Sequence, residues 1–354
     1  MDTVFDKAKS MVFPRHVLVG KDVLEAVPDL ALDLDLHPEG VVVTGPNTRD
    51  VAGERVQAML EDAGYEAHLV EATGHDRKAA EATVEEVDGT GSRFVFGVGG
   101  GRVIDQAKLC ADRIGGPLVS VPTSAAHDGI TSPRASLQTE GEATSIDAVA
   151  PHGIVADTSV IIQAPYRLLA AGCADAISNI SAVRDWKLAH RLRGEPLSSF
   201  SAVLAETAAD LVIDHAEQIR PGIEESAWIA VKALIVSGVS MSVAGSSRPA
   251  SGAEHMVSHA LDRIAPREAL HGEQVGLGTI LMLNLHNGPE HEVRQALDAI
   301  GAPTTAEAAG LSREDVLEAL TSAHEIRDRY TILGSDGLTR SAAEQLVSAT
   351  GVCP

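Results

Sequence analysis

The chain has 354 residues, of which 44% are hydrophobic and 22% charged, a composition typical of a folded protein with two ordinary domains. Its 50 acidic and 28 basic residues leave a net charge of −22, which excludes a basic surface for nucleic acid or anionic membranes. Because so acidic a surface repels itself unless salt screens it, we expect a halophilic protein; an ordinary acidic protein is the alternative.

Other features concern the compartment. The three cysteines, Cys110, Cys173 and Cys353, are odd in number and widely spaced, which favours reduced, buried thiols. Residues 1–20 lack the pattern of a secretory signal, and no apolar run approaches membrane-spanning length. We therefore expect a cytoplasmic protein with a small-molecule substrate, no nucleic-acid partner and no membrane insertion.

The first half of the chain alternates short apolar runs with segments of helical period. Strands are predicted at 16–20, 40–45, 65–72, 93–101, 117–123 and 153–162, and helices at 47–64, 75–87 and 102–115. Short connections between alternating strands and helices predict an α/β fold with a doubly wound parallel sheet.

The pattern changes after the fifth strand. A polar loop is predicted at 123–136 and a hairpin at 135–149, turning at Glu140-Gly141. From Pro165 onward the period is helical, with helices at 165–191, 197–219, 223–244, 251–263, 271–286, 291–299, 312–326 and 340–349. We predict an α/β dinucleotide-binding domain at 1–162 and an all-helical metal- and substrate-binding domain at 163–354.

A glycine-rich turn, Gly97 to Gly101, ends one strand and opens the next helix. Glycines there let a diphosphate approach the backbone, and the helix dipole attracts its charge, so we favour nucleotide binding over a plain tight turn. Asp105 and Lys108, on one face of that helix, form a surface ion pair or face the nucleotide. Small hydroxyl residues and Asp128 follow the next strand, where a ligand would lie; structural capping of the loop is the alternative.

Three histidines and one carboxylate are the candidate metal ligands. His255 and His259 are four residues apart on a predicted helix, and His271 opens the next one. Asp175 lies inside an apolar helical run, where a carboxylate is costly unless it is paired, binds a metal or caps a helix. One carboxylate and two imidazoles leave a position open for substrate, as a catalytic zinc requires.

Together these motifs resemble a known family. GGGRVIDQAK, PTSAAHDGITS, GCADAISN, AEHMVSH and HGEQVG occur in this order in the sn-glycerol-1-phosphate dehydrogenases of archaea. This family belongs to a larger group with glycerol dehydrogenase, iron-dependent alcohol dehydrogenases and dehydroquinate synthase. The resemblance covers nearly the whole chain and implies the dehydroquinate synthase-like fold.

The resemblance also implies residue roles. The metal ligands are Asp175, His255 and His271, and Asp128, Asp175 and His259 contact the substrate as catalytic residues. The cofactor-binding residues are Gly99, Gly100, Gly101, Arg102, Asp105, Lys108, Thr123, Ser124 and Ser132. The cofactors are one zinc ion per subunit, with iron as an alternative, and NAD(P)H. The resemblance also implies a homo-oligomer.

We therefore expect reduction of dihydroxyacetone phosphate to sn-glycerol 1-phosphate, the backbone of archaeal ether lipids. The strand at 40–45 leads into Thr44-Gly45-Pro46-Asn47, where no acid is present to exclude a 2′-phosphate, so NADPH should be accepted along with NADH. Asp50, a few residues into the following helix, is an acid that could still exclude it. The alternatives are a glycerol dehydrogenase on the same scaffold, a dehydroquinate synthase-like lyase and a non-enzymatic zinc- or nucleotide-binding protein.

Overall fold

Six parallel strands form the sheet that the alternating pattern predicts. The protein is described from a computed structural model, which covers residues 11–74, 76–139, 142–265 and 269–353. Its strands are β1 (His16–Gly20), β2 (Glu39–Thr44), β3 (Glu66–Glu71), β4 (Val95–Gly99), β5 (Leu118–Pro122), β6 (Arg134–Thr139), β7 (Glu142–Asp147) and β8 (Gly153–Asp157). The six-stranded sheet has the order β1-β8-β5-β4-β2-β3.

The strand order reverses between β2 and β4. After β2 the chain adds β3 on one side of it, and then crosses back to add β4 on the other side. Thr44 pairs with Val98, and Gly99 pairs with Pro122, so the carboxyl ends of β2, β4 and β5 meet at one edge. Ligands of open α/β sheets bind in the crevice at such a reversal.

The four central strands, β8, β5, β4 and β2, are buried along almost their whole length because both faces of the sheet are covered. One face packs against a cluster that includes Phe94, Phe96 and Val42, and the other against one that includes Val41 and Val95. All three cysteines are free and buried, as predicted.

The helices follow the predicted order with several differences at their ends. They are α1 (Val27–Asp33), α2 (Glu54–Asp62), α3 (Arg77–Gly89), α4 (Gly101–Ile114), α5 (Thr158–Ile161), α6 (Tyr166–Arg193), α7 (Ser199–Asp214), α8 (Glu224–Ala244), α9 (Ala253–Ile264), α10 (His271–Leu285), α11 (Glu290–Ile300), α12 (Arg313–Ser322) and α13 (Arg340–Thr350). The prediction of 197–219 and 312–326 as single helices is wrong, because short 3₁₀ turns at Ala216–Gln218 and Ala323–Glu325 follow α7 and α12.

Two α-helices, α1 and α5, were not predicted. Helix α1 begins with proline in its first turn, where proline is favoured. The last predicted strand, 153–162, is wrong beyond Asp157, because the Asp157 carboxylate accepts a hydrogen bond from the Ser159 N–H at 2.9 Å and caps α5. The predicted hairpin is confirmed as the antiparallel pair of β6 and β7, and its turn at Glu140-Gly141 lies outside the described residues.

Every element that the structure describes from Tyr166 onward is helical. The 28-residue α6 lies among α7, α8 and α10, and is buried along most of its length. Helix α8 is long and apolar enough to span a membrane by length and composition, so the expectation that no segment reaches that length is wrong. However, 72% of its most apolar window is buried inside the protein, as in a core helix.

Candidate active site

A cleft of about 650 Å³ lies between the carboxyl edge of the sheet and the helices. Most of the predicted site residues line it: Gly100, Gly101, Arg102, Asp105, Ser124, Asp128, Ser132, His255, His259 and His271. Four do not line it: Gly99, Lys108, Thr123 and Asp175. The cleft therefore joins residues from both halves of the chain.

The loop after β4 forms one end of the cleft. Gly100 has an extended backbone and immediately precedes the first residue of α4. Asn47, which follows β2, lines the same cleft. The His127 imidazole packs directly on Gly101, since a Cβ atom there would lie 1.7 Å from Nε2. The start of a 14-residue helix thus meets the sheet where the strand order reverses, a site suited to a dinucleotide's diphosphate.

Asp105 and Lys108 form a buried ion pair rather than one on the surface. The Lys108 Nζ donates to Asp105 Oδ1 at 2.9 Å and to the Arg134 carbonyl at 2.5 Å, and its side chain is fully buried. The Asp105 Oδ2 accepts from the Ser136 N–H at 3.1 Å. The pair joins α4 to the β6 strand, and Asp105 alone of the two borders the cleft.

The loop after β5 brings Asp128 against Asp175. The Asp128 N–H donates to Asp175 Oδ2 at 3.0 Å, and Asp128 Oδ2 accepts from the Ser237 hydroxyl at 2.8 Å. Burial and the neighbouring Asp175 raise the pKa of Asp128 to about 7. Two carboxyl groups therefore lie side by side, with Asp128 on the cleft and Asp175 behind it.

The three predicted metal ligands converge. Asp175 Oδ1 lies 3.5 Å from His255 Nε2 and 3.8 Å from His271 Nε2, and one donor atom from each residue lies within 4.8 Å of the others. Gly272 makes this possible, because a Cβ atom there would lie 1.9 Å from the Ala171 carbonyl oxygen. This close approach places the start of α10 one helical turn from Asp175 on α6.

Neighbouring groups set the tautomer of each histidine. His255 Nδ1–H donates to the fully buried Glu254 at 3.0 Å. The Ser258 hydroxyl donates to Gln274 Oε1 at 2.7 Å, so it accepts from His271 Nδ1, 3.1 Å away. Both Nε2 atoms therefore face Asp175, the orientation that histidine ligands of metals require.

The three candidate ligands differ in how readily they ionise. Burial opposes the charge on His255, but its hydrogen bonds to Asp175 and Glu254 raise its pKa to about 9, so a metal bound at its Nε2 would displace a proton. Burial lowers the pKa of His271 to about 3, helped by the charge of His255, so its imidazole is neutral. Burial opposes ionisation of Asp175, but the hydrogen bond and charge of His255 lower its pKa to about 2. A carboxylate and two imidazoles about this far apart fit an ion bound roughly 2 Å from each of them. The donor set suits zinc and iron.

His259 lies beside the three ligands but not among them. Its ring centroid is 6.5 Å from that of His255 and 6.0 Å from that of His271. Arg327 donates to its Nε2 at 3.0 Å, and its Nδ1 is 3.8 Å from Asp262 Oδ2. Burial and the Arg327 charge lower the pKa of His259, which favours the neutral ring.

These geometric observations agree with similarities to known proteins. A family model described as iron-containing alcohol dehydrogenase matches residues 18–165. A protein of Methanosarcina mazei named glycerol-1-phosphate dehydrogenase (NAD(P)+) is 53% identical over 355 residues, covering 98% of each chain. One of Haloarcula marismortui with the same name is 46% identical, covering 99% of this chain and 100% of the other. The chain belongs to the glycerol-1-phosphate dehydrogenase family.

Membership of the glycerol-1-phosphate dehydrogenase family confirms the predicted fold and reaction class. The glycerol dehydrogenase of Schizosaccharomyces pombe has the same fold, with a TM-score of 0.79 at 21% identity over 97% of this chain and 91% of the other. The chain is an NAD(P)-dependent oxidoreductase acting on a CH–OH group, which sets aside the lyase and the non-enzymatic interpretation. The Haloarcula relative supports the expected halophilic character.

Several side chains in or beside the cleft of this glycerol-1-phosphate dehydrogenase family member were not predicted from the sequence. Glu254 immediately precedes His255 in the AEHMVSH motif, so the sequence did contain an acid next to a candidate metal ligand. His127 lies within PTSAAHDG, next to the predicted site residue Asp128, and could have been named as a further candidate. Arg327 lies in a segment after α12 that has no motif, and only the folded chain places it against His259.

Proposed function

We propose that the chain reduces dihydroxyacetone phosphate to sn-glycerol 1-phosphate with NAD(P)H, at a zinc ion held by Asp175, His255 and His271. The three ligands converge beside the cleft in which α4 begins, and this convergence is the main support for the proposal. The names of relatives 46% and 53% identical support the choice of substrate. The product is the glycerol backbone of archaeal ether lipids, as the family resemblance implies.

The reaction adds a hydride to carbon 2 of the ketone and a proton to its oxygen, while NAD(P)H becomes NAD(P)+. When bound, the metal supplies a Lewis acid for the oxygen on which negative charge grows. Glu254 and Ser258 hold the two imidazoles so that their Nε2 lone pairs stay directed at the ion's position.

The backbone amides at the start of α4 hold the cofactor's diphosphate, with Gly100 allowing close approach, while His127 fills the space beside Gly101. Ser124 and Ser132, on the same cleft, line the nicotinamide end. The nicotinamide ring would then lie near these serines and Asp128.

Asp128 orients the substrate in this proposal. One of its carboxyl oxygens is held by the Ser237 hydroxyl, and its backbone N–H is held by Asp175. Because these contacts fix the side chain at the cleft wall, its other oxygen is positioned to accept a hydrogen bond from a substrate hydroxyl.

His259 orders the water molecule that gives the proton to the ketone oxygen, and solvent replaces that proton once the product has left; the neutral imidazole loses no proton of its own. Arg327 donates to its Nε2, so the remaining proton of the neutral ring is on Nδ1. A water bound between this histidine and the substrate oxygen connects the two without displacing Arg327. The buried surroundings of His259 keep bulk water away from the reacting atoms.

The test is NADPH oxidation by the purified protein in concentrated salt, with dihydroxyacetone phosphate and dihydroxyacetone compared side by side. We expect turnover of the phosphate ester, loss of activity with a chelator and recovery with zinc, followed by chiral analysis of the product. Equal or better turnover of dihydroxyacetone would assign the chain to glycerol dehydrogenase chemistry. Recovery with iron but not zinc would change the metal.

Three further expectations accompany this function. We propose domains at 1–162 and 163–354, a division supported by the last sheet strand ending at Asp157 and α6 beginning at Tyr166. The net charge of −22 supports a small-molecule partner rather than nucleic acid. A cytoplasmic homo-oligomer is the arrangement that the family resemblance implies.

A further inference from the structure

Arg327 projects into the cleft from the segment that follows α12. Its guanidinium donates to His259 Nε2 at 3.0 Å through Nη2 and to the Ser251 hydroxyl at 3.3 Å through Nη1. Arg327, His259 and Ser251 all line the cleft, and the arginine is half-buried. A planar guanidinium held at this wall presents donors in the fork geometry that matches phosphate oxygens.

Positive charge is concentrated around Arg327. Arg329 donates to the Ser251 carbonyl and, at 3.0 Å, to the Ser247 hydroxyl. Among the residues that the structure describes, neither Arg327 nor Arg329 has a carboxylate within 4.0 Å, whereas nearby Arg248 is paired with Glu195. Two half-buried guanidinium groups with only neutral partners favour the arrival of an anion.

The electrostatic effect on these groups agrees with that geometry. Burial lowers the pKa of Arg327, and the charge of Arg134 adds to the effect. Burial, together with the charges of Arg327 and Arg248, lowers the pKa of Arg329 to about 9. Arg329 does not line the cleft, so an anion bound there would contact Arg327 and would be attracted by the charge of Arg329 behind it.

The position of Arg327 indicates which anion it binds. His259 separates Arg327 from the metal ligands, and its ring is 6.5 Å from the His255 ring and 6.0 Å from the His271 ring. Because Arg327 lies on the same cleft as the histidines, the end of the substrate remote from its ketone oxygen would face this arginine. The cofactor's diphosphate is attracted elsewhere, to the amides at the start of α4.

We propose that Arg327, supported by Arg329 and the Ser251 hydroxyl, binds the substrate's phosphate and distinguishes phosphorylated from unphosphorylated trioses. This inference rests on the proposed function and names the specificity site that the motifs leave unassigned. The arginine binds the group that does not react, and so it raises affinity without taking part in hydride transfer.

The experiment compares wild-type enzyme with Arg327→Gln and Arg327→Lys on dihydroxyacetone phosphate and dihydroxyacetone. For Arg327→Gln we expect kcat/KM to fall about 100-fold more on the phosphate ester than on dihydroxyacetone, mainly through KM, because any effect through His259 is common to both substrates. Arg327→Lys keeps the charge but loses the fork, so its loss should be intermediate. Calorimetric binding of inorganic phosphate should weaken in the same order.

Arg193→Gln is the matched control. Arg193 packs on the Tyr330 ring and donates to the Ser335 hydroxyl at 2.8 Å, close to the same segment but outside the cleft. It should retain wild-type selectivity and phosphate binding.

Equal losses of Arg327→Gln on both substrates would mean that the arginine acts only by holding His259, and would overturn the inference. Unchanged kinetics and phosphate binding in that variant would overturn it as well. If the wild-type enzyme turns over neither triose, the proposed function fails first. Phosphate binding that depends on Arg327 would then still locate an anion site.

Discussion

Glu254 lies behind the metal-ligand position and touches no part of the cleft. Its Oε1 accepts hydrogen bonds from the Gly252 N–H and from His255 Nδ1, and its side chain is fully buried in the first turn of α9. Burial raises the pKa of Glu254, but the hydrogen bond and charge of His255 bring it below the ordinary value. The carboxylate therefore orients the imidazole and increases its basicity.

Glu254→Gln should weaken zinc binding about 10- to 100-fold, because the amide oxygen still accepts the hydrogen bond but brings no negative charge. Competition with a chelator measures the affinity. Glu224→Gln is the control, since Glu224 is also in the first turn of a helix and accepts from the Thr158 hydroxyl at 2.8 Å. Equal zinc affinity of the two variants would show that Glu254 is only a packing residue.

The ligand residues were predictable because their types and spacing carry the signal. His255 and His271 begin or nearly begin their helices, and an acid in an apolar run marks Asp175. The partners that orient them were harder, since Ser258 and Gln274 have ordinary helical positions. Their roles depend on two helices packing side by side, and no local pattern reports that contact.

Helix α4 is attached to the β6 strand by the buried pair of Lys108 and Asp105. Removing one member leaves a buried charge without its partner, which costs about 3–5 kcal/mol of folding free energy. Lys108→Met should therefore lower the thermal unfolding midpoint by several degrees, measured in concentrated salt.

Arg113→Met tests the same substitution type on the same helix. Arg113 forms an exposed pair with Asp88 at 3.1 Å, and exposed pairs contribute less than about 1 kcal/mol. We expect only a small change in its unfolding midpoint. If Lys108→Met unfolds like Arg113→Met but binds NADPH poorly, Lys108 belongs to the cofactor site instead.

The secondary-structure elements were predictable where period and boundary signals agree. The strands around the glycine-rich turn and most helices of the second half lie close to their predicted positions. The error at 153–162 has two causes. The residues VADTSVII continue the apolar pattern of a strand, and the Asp157 side chain that caps α5 is also held by contacts with distant residues. Its carboxylate accepts from the Leu24 N–H at 2.9 Å, which no local signal shows.

At the scale of the whole molecule, the net charge of −22 decides how the fold responds to salt. Exposed acids without a basic partner within 4.0 Å in the described part of the chain include Asp33, Asp62, Glu85 and Glu86. Their repulsion opposes the compact state at low ionic strength, and it is screened as the Debye length falls from about 10 Å at 0.1 M to about 3 Å at 1 M.

We therefore expect the thermal unfolding midpoint to rise steeply with potassium chloride and to level off in the molar range. Changing those four acids to lysine should raise the midpoint at low salt and flatten its dependence on salt, because the repulsion is removed at its source. Sucrose, which stabilises proteins without screening charge, should raise both proteins alike. If the lysine variant keeps the full salt dependence, then preferential exclusion of salt, rather than screening of the acidic surface, stabilises the fold.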